Sequence, residues 1–250
     1  MNSDLENGIL DGTYDRVLNI PDRHEPFSHP DAFYFIQAVA QHYGPDLVID
    51  SGDEIDGHCW SYHNKNPNIG HSSSSELELA IEKNQKYYQF FNPYKYHVMD
   101  SNHGSLVARK GHDAGLPHQA LRTNIEILKV PGWSYHAELV VRMSDGRRVL
   151  FCHGKSGAIG GLAKEVGMCT VEGHYHEKFG ISRWWGGYDK PMWAVQGGCL
   201  VDDKALAMFY NKTFKKRPQL GCTMILQGNP ILIPLELDKH RRWTGQFLRA

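Results

Sequence analysis

Short apolar runs, each breaking into a loop that carries Asp, His, Asn or Gly, organise the first two thirds of this chain. Residues 14–20 alternate into a strand that stops at Pro21. From Asp31 to Tyr43, Phe35, Ile36, Val39 and Ala40 recur at helical spacing, and Gly44-Pro45 supplies the stop. Asp46 to Asp50 is a β-branched run that predicts a buried strand, and Ser51-Gly52-Asp53 follows it directly. This strand–loop–helix–strand–loop order predicts a parallel βαβ unit whose two loops open at one edge of the sheet. Glu76 to Phe91 predicts an amphipathic helix, and Tyr94 to Met99 a further strand that delivers Asp100-Ser-Asn102-His103 to the same edge.

Past a weakly patterned stretch with short helices expected at Ser105–Lys110 and Gln119–Lys129, the period changes to two. Tyr135–Met143, a turn at Ser144–Arg147, and Val149–Cys152 predict a hairpin that ends at His153. Met168–Glu172 predicts a strand that runs into Gly173-His174-Tyr175-His176. Further strands are expected at Met192–Gln196, Ala205–Tyr210, Cys222–Gln227 and Ile231–Leu235, with a turn at Gly228-Asn229-Pro230. Gly57 to Ser75, polar and closed by four serines, is either a surface loop or a lid that contributes His58, Trp60 or His63. An α/β first half and a β-rich second half imply two packed sheets with helices outside.

Composition narrows the picture. The 250 residues, 41% hydrophobic, suffice for one domain over 1–250, with a core at about 14–236 and a basic, aromatic tail at 237–250. Lys+Arg (27) and Asp+Glu (28) nearly cancel, so global charge predicts neither a nucleic-acid binder nor a membrane-surface protein. The five cysteines form no CxxC pair, which points to reduced thiols in the cytosol. No apolar run has the length of a membrane span, and the polar, acidic N-terminus is the opposite of a secretory signal. The expectation is a soluble cytoplasmic protein.

Histidine, at 15 residues, is where the candidate chemistry lies. Asp22 and His24, Asp53 and Asp56, Asn102 and His103, His153, and His174 with His176 occur in order, most of them directly after a predicted strand. Singly, each has a bland surface reading. Together they compose an all-nitrogen-and-oxygen donor set without a thiolate, compatible with manganese, iron or zinc. Phosphate-ester hydrolysis needs hydroxide brought to an anionic phosphorus while the leaving oxygen gains charge, which two divalent ions about 3.5–4 Å apart accomplish. A carboxylate suits the bridging position, and Asp53 is the candidate.

As a set, Asp22-x-His24, Gly52-Asp53-x-x-Asp56, Asn102-His103, His153 and Gly173-His174-x-His176 resemble the calcineurin-like metallophosphoesterase superfamily over residues 17–176. Ser51-Gly-Asp-Glu-Ile-Asp, Ser101-Asn-His-Gly-Ser, Phe151-Cys-His-Gly-Lys-Ser and Gly173-His-Tyr-His look most like bacteriophage-encoded members, loosely described as phosphoesterases or DNA-repair exonucleases; a phage origin would place the protein in the host cytoplasm. The resemblance implies a four-layer αββα sandwich, two mixed sheets between helices, with a dinuclear site at the C-terminal edges of the strands. It implies one ion held by Asp22, His24, Asp53 and His176, and a second by Asp53, Asn102, His153 and His174. His103 would protonate the leaving oxygen, and Asp56 would hold the His103 imidazole in the required tautomer.

Two positions depart from the family pattern. Gly57 stands where its protein phosphatases carry an arginine, and Gly104 where an acid usually follows Asn-His. Arg23, His58 and Lys155 are the candidates to replace the missing phosphate clamp. Lys212, Lys215, Lys216 and Arg217, the run Lys239–Arg242, and Trp184, Trp185 and Tyr188 suit a phosphate-tracking groove with a stacking platform, or equally a solvated basic face over packed aromatics. Trp243 and Phe247 are expected to dock the tail on the body or on a second subunit. The leading expectation is a phosphodiesterase acting on DNA, RNA or a nucleotide. The alternatives are a phosphomonoesterase on a small metabolite or nucleotide, and a non-catalytic binding module on the same scaffold.

Overall fold

In the computed structural model, which describes residues 8–62, 68–92, 94–186, 190–205 and 217–246, two mixed six-stranded sheets face each other. The first sheet has the order β12 (Asn229–Pro234), β11 (Gly221–Leu226), β2 (Arg16–Ile20), β3 (Leu47–Asp50), β4 (Tyr96–Met99) and β5 (Ser134–His136). The second has β1 (Gly8–Ile9), β6 (Leu139–Arg142), β7 (Arg148–Cys152), β8 (Cys169–Glu172), β10 (Met192–Gly197) and β9 (Phe179–Trp184).

Strand periodicity explains the layers. Along β2 and β3, Val17, Leu47 and Ile49 face one way and pack with Val141, Phe151, Val171 and Trp193 of the opposite sheet. Their neighbours Leu18, Ile20 and Val48 face the other way and pack beneath α1 (Ala32–Tyr43) and α2 (Ser73–Phe91) through Phe35, Ile36, Val39, Tyr87 and Phe91. Both faces of these strands are buried, hence their nearly continuous apolar sequence. On the outer face of the second sheet, Leu150 and Cys152 meet Leu162 of α5 (Gly161–Val166). The result is the expected αββα sandwich. None of its described helices is long and apolar enough to cross a membrane.

Register then positions the loops. Ile20 pairs with Asp50 and Asp50 with Val98, so parallel β2, β3 and β4 finish level. In the second sheet Cys152 of β7 pairs with Glu172 of parallel β8. The five segments that carry the candidate ligands are the continuations of these five strands.

Several expectations change in detail. The single strand predicted over Tyr135–Met143 is two: β5 closes the first sheet and β6 belongs to the second, so the chain crosses between layers at Ala137-Glu138, with no turn residue to mark it. A helix expected from Glu76 starts at Ser73, because the serines are its cap. Ser72 Oγ accepts from the Ser75 amide at 3.1 Å, and Ser75 Oγ accepts from the Ser72 amide at 2.9 Å. The short helices fall at α3 (Leu106–Asp113) and α4 (Asn124–Leu128). The β11–β12 turn is Gln227-Gly228, both at positive φ, so Pro230 enters β12, an edge strand where proline's missing N–H is tolerated. Trp184 ends strand β9 rather than lying in a loop. The expected strand beyond Ala205, together with His63, Tyr188, Lys212, Lys215, Lys216 and Phe247, lies outside the described residues.

Candidate metal centre

The loop after β2 carries Asp22 and His24, and the loop after β3 carries Asp53 and Asp56. Three site residues, His24 (φ 52°), Asp53 (φ 51°) and His174 (φ 72°), hold left-handed backbone conformations that side-chain-bearing residues rarely adopt. Such strain persists where the surroundings over-determine it, and three of the six described non-glycine residues that carry it are candidate ligands. Gly52 and Gly173 permit the close approach. A Cβ on Gly52 would lie 2.5 Å from the Met99 carbonyl oxygen, and one on Gly173 would lie 2.5 Å from Asp22 Oδ1.

Two donor clusters share one carboxylate oxygen. In the first, His24 Nε2 stands 3.1 Å from Asp53 Oδ2 and 3.1 Å from His176 Nε2, and His176 Nε2 stands 3.2 Å from Asp22 Oδ2. In the second, His153 Nε2 stands 3.3 Å from Asp53 Oδ2, 2.7 Å from Asn102 Oδ1 and 3.2 Å from His174 Nδ1. His174 Nδ1 is also 3.1 Å from Asn102 Oδ1. Metal–nitrogen bonds of about 2.1 Å at tetrahedral to octahedral angles put neighbouring donors about 3.0–3.4 Å apart, so most of these separations match the edges of coordination shells. Asp22, His24, Asp53 and His176 could hold one ion, and Asp53, His153 and His174 a second.

The donor chemistry fits a cation as well as the distances do. Asp22 Oδ2 accepts the His174 amide at 2.7 Å, but its Oδ1 is buried without any hydrogen-bond partner. Oδ2 also lies 3.2 Å from His176 Nε2, a carboxylate oxygen set beside an imidazole nitrogen, which is a pairing that a divalent ion would satisfy. The imidazoles are oriented from behind. His24 Nδ1 lies 2.7 Å from Asp56 Oδ1, and His153 Nδ1 lies 2.9 Å from the Ser51 carbonyl oxygen. Each contact assigns the proton to Nδ1 and turns the Nε2 lone pair inward.

Charge is strongly coupled here in the metal-free protein. Burial alone would depress the His153 imidazole, yet Asp53 and Asp22 carry it up to about 9. His24 is likewise raised well above its ordinary value, burial being outweighed by Asp53 and Asp56. Burial pushes Asp53 up, but His153, His103 and His24 together hold it well below the usual carboxylate range. His174, exposed at the mouth, is lowered by desolvation and by His153.

The remaining site expectations fare differently. His103 sits edge-on to His24, with ring centroids 4.5 Å apart, and its Nδ1 donates to the main-chain carbonyl of Asp56. The Asp56 carboxylate, expected on His103, is 3.9 Å from that ring and bonds His24 instead. Arg23 is not available to a substrate. Fully buried, it bonds Asp50 Oδ2 through Nε (3.1 Å) and Nη2 (2.7 Å), and its guanidinium lies over the Tyr87 ring at 4.2 Å. The neighbouring backbone turns its side chain under the sheet, where two aromatic rings and a carboxylate compensate its desolvation. His58 is buried in a 3₁₀ turn (His58–Trp60) whose amides bond Glu76, with its ring against Phe27. Lys155 is half-exposed at the rim and ion-paired with Glu138.

The tail docks on the body of its own chain. Arg242 pairs with Asp31, the Trp243 amide bonds Asp31 at 2.9 Å, and the Trp243 ring meets Phe35 edge-on at 5.7 Å. Arg217 and Arg241 both pair with Asp203. These three arginines share two carboxylates of the body and keep much of their side chains exposed.

Sequence reasoning passed over Ser51, Ser101 and Glu54. Ser101 Oγ accepts from the amides of Asp53 and Gly104, both at 2.9 Å, and so ties the Asp53 loop to the Asn102 loop. A serine opening each tight turn was the available signal. Glu54 is buried beside Gly104, where a Cβ would lie 3.3 Å from its Oε2; it accepts from Asn124 (3.0 Å) and Tyr135 (3.1 Å). Burial and the Asp50 charge push its carboxyl up to about 7. An acid at position 104 would have to share the space that this carboxyl occupies.

No family profile matches the chain, and no curated protein matches it either. Among solved structures, it is similar to Vacuolar Protein Sorting 29 from Cryptosporidium parvum, at 17% identity over 91% of this chain and 94% of that one, with a TM-score of 0.49. It is also similar to Yfce, a phosphoesterase from E. coli, at 12% identity over 84% and 87% of the two chains, with a TM-score of 0.40.

Proposed function

We propose that this protein is a calcineurin-like metallophosphoesterase that binds two divalent ions, manganese before iron or zinc, and hydrolyses a phosphodiester of a nucleic acid or nucleotide. The observation that carries the reading is Asp53 Oδ2, set between His24 Nε2 at 3.1 Å and His153 Nε2 at 3.3 Å, with a further set of donors on either side. Bound there, two ions would supply a water of lowered pKa and a clamp on the phosphoryl oxygens.

The chain's own residues account for the rest. Asp53, shared by the clusters, sets their spacing, while Asp56 and the Ser51 carbonyl fix the tautomers of His24 and His153. His103, partly exposed beside the first cluster, donates Nδ1–H to the Asp56 carbonyl, which leaves Nε2 to carry a proton to the departing oxygen. The diester is favoured over the monoester by charge. The side-chain clamp that would add selectivity for a monoester dianion has lost its first candidate, since Arg23 is buried on Asp50. The five cysteines are free thiols, in keeping with a reducing cytoplasm.

Hydrolysis of bis-p-nitrophenyl phosphate and p-nitrophenyl phosphate with manganese, side by side, tests this function, with Asp53→Ala as control. The expected result is preference for the diester, abolished in the control. Preference for the monoester would overturn the diester assignment, and turnover surviving in Asp53→Ala would overturn the bridged-metal site.

A further inference from the structure

Beside the metal centre, the segment that carries Asn102 and His103 also walls a cavity of about 630 Å³, within the range of small-molecule sites. Asp100, Ser105 and Arg109 form its near side, and Tyr62, His112 and Leu116 lie among its other walls. The Arg109 guanidinium donates to the Asn102 main-chain oxygen, so the wall of the cavity and the ligand loop are one connected unit.

The lining combines three kinds of group. Tyr62 offers a half-exposed ring, tied to α3 by its hydroxyl on Asp113, with Lys110 Nζ 4.1 Å and the Arg109 guanidinium 5.4 Å from its centroid. Leu116, Leu121 and Ala108 supply apolar surface. Asp100 supplies a carboxylate to the wall; its Oδ1 is sealed behind that wall and accepts no hydrogen bond, so the acceptor offered to a ligand is its other oxygen. A ligand that uses all three has a flat aromatic body and an N–H or O–H donor, and an anionic group on it would be taken by the neighbouring metal centre. Those are the parts of a nucleotide: a base to stack, an exocyclic amine or ribose hydroxyl to donate, and a phosphate.

We propose that this cavity is a nucleoside subsite, which holds one ester arm of the substrate with the base against Tyr62 and a donor on Asp100 while the phosphate reaches the metal cluster. The proposal rests on the phosphodiesterase reading for the identity of the cluster, and it is tested by binding rather than turnover. Calorimetric titration of the manganese-loaded protein with AMP and with methyl phosphate separates the two sites, since both ligands offer a phosphate and only AMP offers a nucleoside. AMP is expected to bind at least about tenfold more tightly. Ala108→Trp, which fills the cavity, should remove that difference while methyl phosphate still binds, and Ala108→Ser, which adds one atom, should retain it. Equal affinities for the two ligands in the unmodified protein, or an AMP advantage that survives Ala108→Trp, would overturn the subsite. Failure of the metal reading looks different: methyl phosphate would bind equally with and without manganese.

Discussion

Asp56 serves two histidines through two different groups. Its carboxylate Oδ1 lies 2.7 Å from His24 Nδ1, and its main-chain carbonyl accepts from His103 Nδ1. A change to the side chain therefore reaches the candidate ligand His24 and leaves the contact on His103 in place. Asp56→Asn is expected to weaken manganese affinity by about 10- to 100-fold, the usual cost of losing a carboxylate behind a ligating imidazole. Metal titration by calorimetry reads this directly. Unchanged affinity with a pure loss of turnover would return Asp56 to the role of partner to His103.

His103→Ala makes the opposite demand. The ring contributes no donor to either shared-oxygen cluster, so both ions should still bind, while turnover of the diester should fall by about 10²–10⁴-fold. The loss should be smaller for an ester with a good leaving group such as p-nitrophenolate than for an alkyl ester, because a good leaving group needs less protonation. Parallel loss of metal would show that His103 is a ligand.

Arg23 distinguishes stability from catalysis. Its ion pair with Asp50 is fully buried, and Tyr96 also donates to Asp50 Oδ2 at 2.8 Å. Removing the guanidinium in Arg23→Met leaves a buried carboxylate that has lost its cation, with an expected destabilisation of about 3–5 kcal/mol in denaturant unfolding. A phosphate clamp would instead raise KM and leave the unfolding midpoint unchanged.

Proton linkage gives a pH signature. In the metal-free protein the His153 imidazole, depressed by burial but raised further by Asp53 and Asp22, reaches about 9 against an ordinary 6.5. A value raised on folding contributes stability that is complete below about pH 6.5 and is lost as pH climbs through about 9. Asp53 shifts the other way, so its contribution is present above the ordinary carboxylate range and is lost only as pH falls through its depressed folded value. The metal-free protein should therefore melt at a lower temperature at about pH 9.5 than at about pH 6.5. Metal binding requires the same imidazole to be neutral, so manganese affinity should rise over that interval with release of protons. Titrations in buffers of different ionisation enthalpy count those protons; an affinity flat with pH would contradict the coupling.

Much of the fold was legible because its cause is local. Alternating burial in β2 and β3 and the helical spacing of Phe35, Ile36 and Val39 are properties of sequential neighbours. Strand-to-loop transitions at Pro21, Gly52 and Gly173 likewise mark where the chain must turn. These signals determined the βαβ unit, the sheet edge to which Asp22, Asp53 and Asn102 are delivered, and the donor types gathered there. What depends on partners far along the chain was decided only by tertiary structure. Residues 135–143 read as one period-two run, yet β5 pairs with β4 and β6 with β7, because sheet membership is set by which strand edge is open. Arg23 stands between Asp22 and His24 in sequence and still faces Asp50, Tyr87 and Trp133, because consecutive side chains leave a turn in different directions. Which group of Asp56 meets which histidine follows from the same cause. Side-chain type is written in the sequence, but its direction is set by a backbone that long-range packing holds in place.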